Sequence, residues 1–272
     1  MEMKIAVCGK GGCGKSTVVA VLAYEFQRRD QQVLVVDSDE SNSGLHWMLG
    51  IENPPKPLID FVGGKQEIQN KMFTGFTAGS GDASLSLWRQ NEIAMDDIPE
   101  AHIEGTNRSR LVVTGKIGRI FEGCACPMGV VTREFLKKLR IDDNEMAIVD
   151  MEAGIEHFGR GIESSLDAVI VVVEPSLESL SIAEKTKKLT ESGGARFAGA
   201  VINKIRSEAN RKRLIQELTR RNIIELGCLQ YHEALVADGL YGSPVNSEVT
   251  KIEAGTIVDR LLDVIRINAR SV

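Results

Sequence analysis

Apolar and polar positions along this chain alternate between a strand period and a helix period. Residues 4–8 form a short apolar run closed by glycine, and residues 33–36 form a second that ends in acidic residues, so both read as buried parallel strands. Between them Val18, Val21, Leu22 and Phe26 recur at helical spacing, which predicts an amphipathic helix over 16–29 and a strand-helix-strand unit. Further strands are expected at 146–149, 168–173, 197–202 and 223–228, with helices near 179–190 and 208–220 and a last helix over about 249–267. This alternation predicts an α/β fold, a doubly wound and mostly parallel sheet flanked by helices.

Residues 53–110 interrupt the rhythm. Pro54, Pro55 and Pro57 break any helical period, and residues 79–82 form a polar loop, so this stretch is expected to be an irregular surface excursion. A strand-like run at 111–114 leads from it toward a cysteine-bearing segment and a helix near 130–139. No linker rich in Gly, Ser or Pro cuts the chain, so residues 1–272 are read as a single domain.

Composition narrows the class. Hydrophobic residues at 43% and charged residues at 26% are ordinary for a globular protein, and a net charge of −5 gives no basic footprint for nucleic acid. No run of about 18 apolar residues occurs, and MEMKIAVCGK lacks the charged and apolar regions of a signal peptide; a cytoplasmic protein without stable membrane association is expected. The last helix carries Ile257, Leu261, Leu262 and Ile265 among Arg260 and Arg266, spacing that suits packing on its own sheet. Five cysteines, an odd number, point to free thiols or metal ligands rather than a secreted disulfide framework.

The densest chemistry lies in GKGGCGKST at 9–17. Gly9, Gly14, Lys15 and Ser16 satisfy the G-x-x-x-x-G-K-[ST] pattern of a phosphate-binding loop. Glycines let the backbone wrap the phosphates of ATP or ADP, and the N–H groups of Gly11, Gly12, Cys13, Gly14 and Thr17 lie in the loop and helix start that donate to them. Lys15 neutralises phosphate charge, and Ser16 is the expected magnesium ligand. Asp37 and Asp39 follow the second strand, and Asp150 ends the run MAIVD, where ligands of open α/β sheets bind. Asn203 and Lys204 close the strand AGAVINK.

The extra lysine at Lys10 makes GKGGCGKST resemble the deviant Walker A motif of the family that includes the nitrogenase iron protein, division-site and plasmid-partition ATPases and metal-insertion ATPases. The resemblance implies ATP hydrolysis in a nucleotide-sandwich homodimer, with Lys10 reaching the partner's phosphates. It also implies that Asp39 orients the attacking water, that Asp37 and Asp150 help hold magnesium, and that Gly154 contacts the γ-phosphate. Asn203 would bond the adenine, although an Asn there can also simply turn the chain. Met151 departs from the family's usual Asp-Thr-x-Ala-Gly at this place.

GCACPMG at 123–129 adds a cysteine pair two residues apart. In an extended segment both sulfurs face one side, and the dipole of the following helix favours thiolate, the metal-binding form. With DSD and DMEAGIEHFGRG, this segment resembles the nickel-insertion ATPases that mature carbon monoxide dehydrogenase. In that resemblance Cys124 and Cys126 bind nickel or zinc between two subunits, and the client is carbon monoxide dehydrogenase or acetyl-CoA synthase. Cys8, Cys13 and Cys228 read as packing residues, and His157 as a structural histidine or a hydrogen bond to the switch. Two other readings stay open: an iron–sulfur reductase-like ATPase, and a positioning or partition ATPase.

Overall fold

The computed structural model describes residues 2–40, 44–77, 87–115, 126–152, 161–245 and 247–269. Its frame is an eight-stranded sheet made of β1 (Met3–Gly9), β2 (Gln32–Asp37), β3 (Glu104–Thr106), β4 (Ser109–Val113), β5 (Glu145–Asp150), β6 (Ala168–Val173), β7 (Phe197–Ile205) and β8 (Glu225–Gln230), in the order β3-β4-β2-β5-β1-β6-β7-β8. Every pairing is parallel except that of β3 with β4. The strands of the sheet's centre are apolar along most of their length, β6 wholly so, because helices cover both faces.

On one face α1 (Lys15–Arg28) and α9 (Ser247–Ala269) bury Val18, Leu22, Phe26, Ile257 and Leu261 against Ile5, Val7, Val33 and Val35. The last helix therefore packs as its spacing predicts. The opposite face holds α5 (Cys126–Lys138), α6 (Leu177–Ser192) and α7 (Glu208–Arg220), packed on Ala6, Cys8, Leu34 and Val36. Successive β1 side chains enter alternate cores, the period-two signature of a two-sided strand. Ser176 and Ser207 cap α6 and α7 by accepting from Ser179 N and Asn210 N.

The stretch 53–110 is not the surface excursion that its prolines predict. Among its described residues are α3 (Leu58–Phe61), α4 (Gly64–Thr77) and the short 3-10 turns Met95–Asp97 and Glu100–His102. Leu58, Ile59, Val62, Ile68, Trp88, Ile93, Met95 and Ile98 all enter the α5-side core. The pattern is hidden because α3 and the 3-10 turns are too short to show a period, and α4 gives the core only Ile68 and, in part, Met72 among its described residues. Phe61, Trp88 and Phe135 form an aromatic chain with ring centroids 5.4 and 5.7 Å apart, tying the stretch to α5. Two further short helices lie outside the predictions: α2 (Leu45–Met48) and α8 (Glu233–Tyr241).

Candidate functional site

Register brings the predicted residues to one edge of the sheet. Asp37 and Asp150 are paired positions of β2 and β5, Val7 pairs with Asp150, and Gly9 pairs with Val172 of β6. The carboxyl ends of five neighbouring strands thus present Asp37, Asp150, Gly9, Glu174 and Asn203 along a single crevice. From β1 the chain turns one way through α1 to β2 while β6 lies on the other side, the switch point at which open α/β sheets bind ligands.

The phosphate loop spans β1 and α1. Its turn is closed by Cys13 N donating to Lys10 O at 3.2 Å, and Gly14 then takes φ +94° to start the helix. A Cβ at Gly14 would collide with the Asn203 amide, so glycine is required there both for its backbone angle and for space. Asn203 Nδ2 donates to Cys13 O at 2.9 Å, and Asn203 Oδ1 accepts from Lys204 N at 2.9 Å. Lys204 sits at φ +60° and its ammonium donates to Gly12 O. Asn203 and Lys204 therefore both hold the loop itself. Gly11 and Gly12 stand exposed at the loop's tip, while Cys13 is fully buried and burial pushes its thiol up to about 11.

A buried charge cluster lies under the loop. Lys15, only 5% exposed, pairs with Asp39 Oδ2 at 3.8 Å, and Asp39 N donates to Asp37 Oδ1 at 3.2 Å. Ser16 Oγ donates to Asp150 Oδ2 at 2.5 Å. Ser38 N and Oγ both donate to the Asp150 carbonyl, at 3.0 and 2.8 Å, binding the loop after β2 to the end of β5. Burial raises the Asp150 carboxyl to about 7, and the neighbouring Asp37 charge pushes the same way against the Ser16 hydrogen bond and Lys15. Such a set of hard oxygen donors, with two carboxylates crowded together, fits a magnesium ion: Ser16 would hold it directly, with Asp37 and Asp150 behind. Bound there, the ion would neutralise phosphate charge.

Lys10 lies at the rim. Its ammonium pairs with Glu174 at 3.2 Å and with Glu178 at 3.1 Å, both of its own chain, and hydrogen bonds to Glu178 and Glu174 raise its pKa. Glu174 also meets Lys204 at 3.5 Å. Sequence reasoning overlooked Glu174, Glu178 and Ser38. Glu174 carried a usable signal, an acidic residue at the carboxyl end of a fully apolar strand, the same feature that singled out Asp150.

The cysteine pair divides. Cys126 is the first residue of α5, which begins four residues before the predicted helix, so the expected extended segment has ended by Cys126. Cys124, Gly154, His157 and the loop at 79–82 lie outside the described residues. Among the described residues no group of three or more His, Cys, Asp or Glu is arranged to hold a metal. Cys8 is fully buried, with its thiol pushed up to about 12 by burial, and Cys228 is half-buried, its thiol raised to about 11. Both fit the packing role. No helix among the described residues is long and apolar enough to cross a membrane.

Comparison with known proteins agrees with this geometry. Residues 4–245 match the CobQ/CobB/MinD/ParA nucleotide binding domain. An uncharacterized ATP-binding protein of Methanocaldococcus jannaschii, MJ0084, is 38% identical over 251 residues, covering 92% of this chain and 97% of the relative. The carbon monoxide dehydrogenase accessory protein CooC of Rhodospirillum rubrum is 32% identical over 209 residues, 75% of each chain. Among solved structures, the septum site-determining protein MinD of Pyrococcus horikoshii, complexed with Mg-ADP, superposes with a TM-score of 0.65 at 18% identity, over 100% of this chain and 99% of that one; this is a likeness of fold. The chain belongs to the CobQ/CobB/MinD/ParA nucleotide-binding domain family and is an ATPase.

Proposed function

We propose that this ATPase is a metallochaperone that inserts nickel during maturation of carbon monoxide dehydrogenase or acetyl-CoA synthase, working as an ATP- and metal-linked homodimer in the cytoplasm. The observation that carries this reading is the joint presence of GKGGCGKST and GCACPMG in a chain similar to a carbon monoxide dehydrogenase accessory protein. The fold supplies a connection between the two motifs. The helix that starts at Cys126 leads directly into β5, whose last residue, Asp150, accepts from Ser16 of the phosphate loop. A shift at either end has a short route to the other.

In the proposed mechanism the N–H groups from Gly11 to Thr17 cradle the phosphates of ATP, and Lys15 exchanges Asp39 for phosphate oxygens. Asp39, released from Lys15, orients the water that attacks the γ-phosphoryl group in line. Lys10 of the partner and Lys15 stabilise the charge that develops. Asn203 fixes the loop through Cys13 O and hydrogen-bonds the adenine; Gly154 contacts the γ-phosphate. The metal cargo, nickel or zinc, is held by Cys124 and Cys126 of both chains, because one chain offers two thiolates and a closed site takes four ligands.

Reactivation of nickel-deficient carbon monoxide dehydrogenase tests this. Wild-type protein with nickel and ATP should restore client activity under anaerobic conditions, whereas Asp39→Ala and Cys126→Ser should not. An ATP-hydrolysing wild-type protein that leaves the client inactive but sediments with liposomes or DNA would favour a positioning or partition role instead.

A further inference from the structure

Glu174 occupies the first position after β6 and touches two lysines of the nucleotide crevice, Lys10 at 3.2 Å and Lys204 at 3.5 Å. Glu178, in the first turn of α6, meets the same Lys10 ammonium at 3.1 Å. The corner that carries them is fixed: Glu174 N donates to Ser179 Oγ at 3.1 Å, and Ser176 caps the helix. Lys204 in turn donates to Gly12 O, so Glu174 also reaches the phosphate loop through Lys204.

We propose that Glu174 and Glu178 are positioning residues for ATP hydrolysis: they latch Lys10 onto its own chain, and Lys10 reaches a partner's phosphates only by exchanging these carboxylates for phosphate oxygens. The proposal rests on the reading of Lys10 as acting across a dimer. The two carboxylates divide the work. Glu178, with a side chain 66% exposed, acts on Lys10 at the rim, whereas Glu174, 19% exposed, also holds Lys204 and through it the loop. Neutralising Glu178 therefore loosens the latch while sparing the loop. Exposed ion pairs are individually weak and screened, so the expected effect is about two- to fivefold.

The test measures ATP-dependent dimerisation by sedimentation velocity, together with the protein concentration that gives half-maximal ATP turnover. The variants are Glu178→Gln, Glu178→Asp, Lys10→Ala and the Glu178→Gln/Lys10→Ala pair. Glu178→Gln should tighten ATP-dependent dimerisation about two- to fivefold and lower the half-maximal concentration by a similar factor, Glu178→Asp should return both toward wild type, and neither shift should survive in the Lys10→Ala background. The latch is overturned if Lys10→Ala impairs dimerisation yet Glu178→Gln leaves it at the wild-type value, or if the Glu178→Gln shift persists without Lys10. A Lys10→Ala protein that dimerises and turns over ATP as wild type does would instead sink the underlying trans reading, and the latch with it.

Discussion

The nucleotide crevice and the α3–α5 side of the molecule are both buried, but they are built on opposite principles. In the crevice Lys15, Asp37, Asp39 and Asp150 are all within 6% of complete burial; Lys15 pairs with Asp39, Asp39 N donates to Asp37, and Asp150 accepts from Ser16. Beneath α5, Leu58, Trp88 and Phe135 fill space with apolar surface. Removing one charge from the first region strands its partner in a poorly hydrated site, while removing a ring from the second leaves a cavity. The crevice should therefore fail in function before it fails in folding, and the apolar side the reverse.

Lys15→Ala should have the largest effect on the crevice. It removes the main phosphate cation and leaves Asp39 buried without its 3.8 Å partner, so ATP affinity should fall on the order of a thousandfold, about 4 kcal/mol. Titration with a fluorescent nucleotide analogue measures it; unchanged affinity contradicts the assignment. Asp39→Ala separates binding from chemistry, because it frees Lys15 for phosphate. ATP should bind at least as tightly while turnover drops by about 10²–10⁴-fold, read by phosphate release.

Phe135→Ala is the converse experiment. Loss of this fully buried ring should cost about 3–5 kcal/mol of stability in denaturant unfolding, with little change in ATP affinity for the molecules that remain folded. A proportionate fall in affinity would mean that the two regions are coupled more tightly than their contacts imply.

A smaller effect concerns pH. The Asp150 carboxyl is raised from its ordinary value of 3.8 to about 7, so the folded, nucleotide-free chain binds this proton more tightly than the unfolded chain does. The associated stability is complete below about pH 4 and is lost as pH rises toward 7, on the order of 1 kcal/mol per pH unit within that window. Thermal unfolding of the nucleotide-free protein between pH 5 and 8 should show this decline, and Asp150→Asn should flatten it.

Legibility in the sequence followed the same division. The crevice was readable because its residues are close in sequence or sit at the ends of uniform apolar strands: GKGGCGKST, DSD and MAIVD each announce themselves without knowledge of the rest of the chain. The loop's supports were partly hidden. Asn203 and Lys204 were identified as nucleotide residues, but their grip on Cys13 O and Gly12 O depends on β7 lying two strands from β1, which no local pattern states. The apolar side was misread, since three prolines mask a set of apolar residues whose common face exists only after α3, α4 and α5 have packed. Helix α8 was missed for a related reason: none of its residues is buried, so it follows no core-facing period.

Metal stoichiometry measured together with mass tests the proposal that the crevice drives a metal carried between two chains. Under reducing, anaerobic conditions with ATP, size-exclusion chromatography with light scattering and elemental analysis should find a dimer holding about one nickel or zinc ion for its four Cys124 and Cys126 thiolates. The Cys124→Ser/Cys126→Ser variant should lose both the metal and metal-induced dimerisation while binding ATP nearly as well as wild type. One metal per monomer, or metal retained by the double serine variant, would contradict the account.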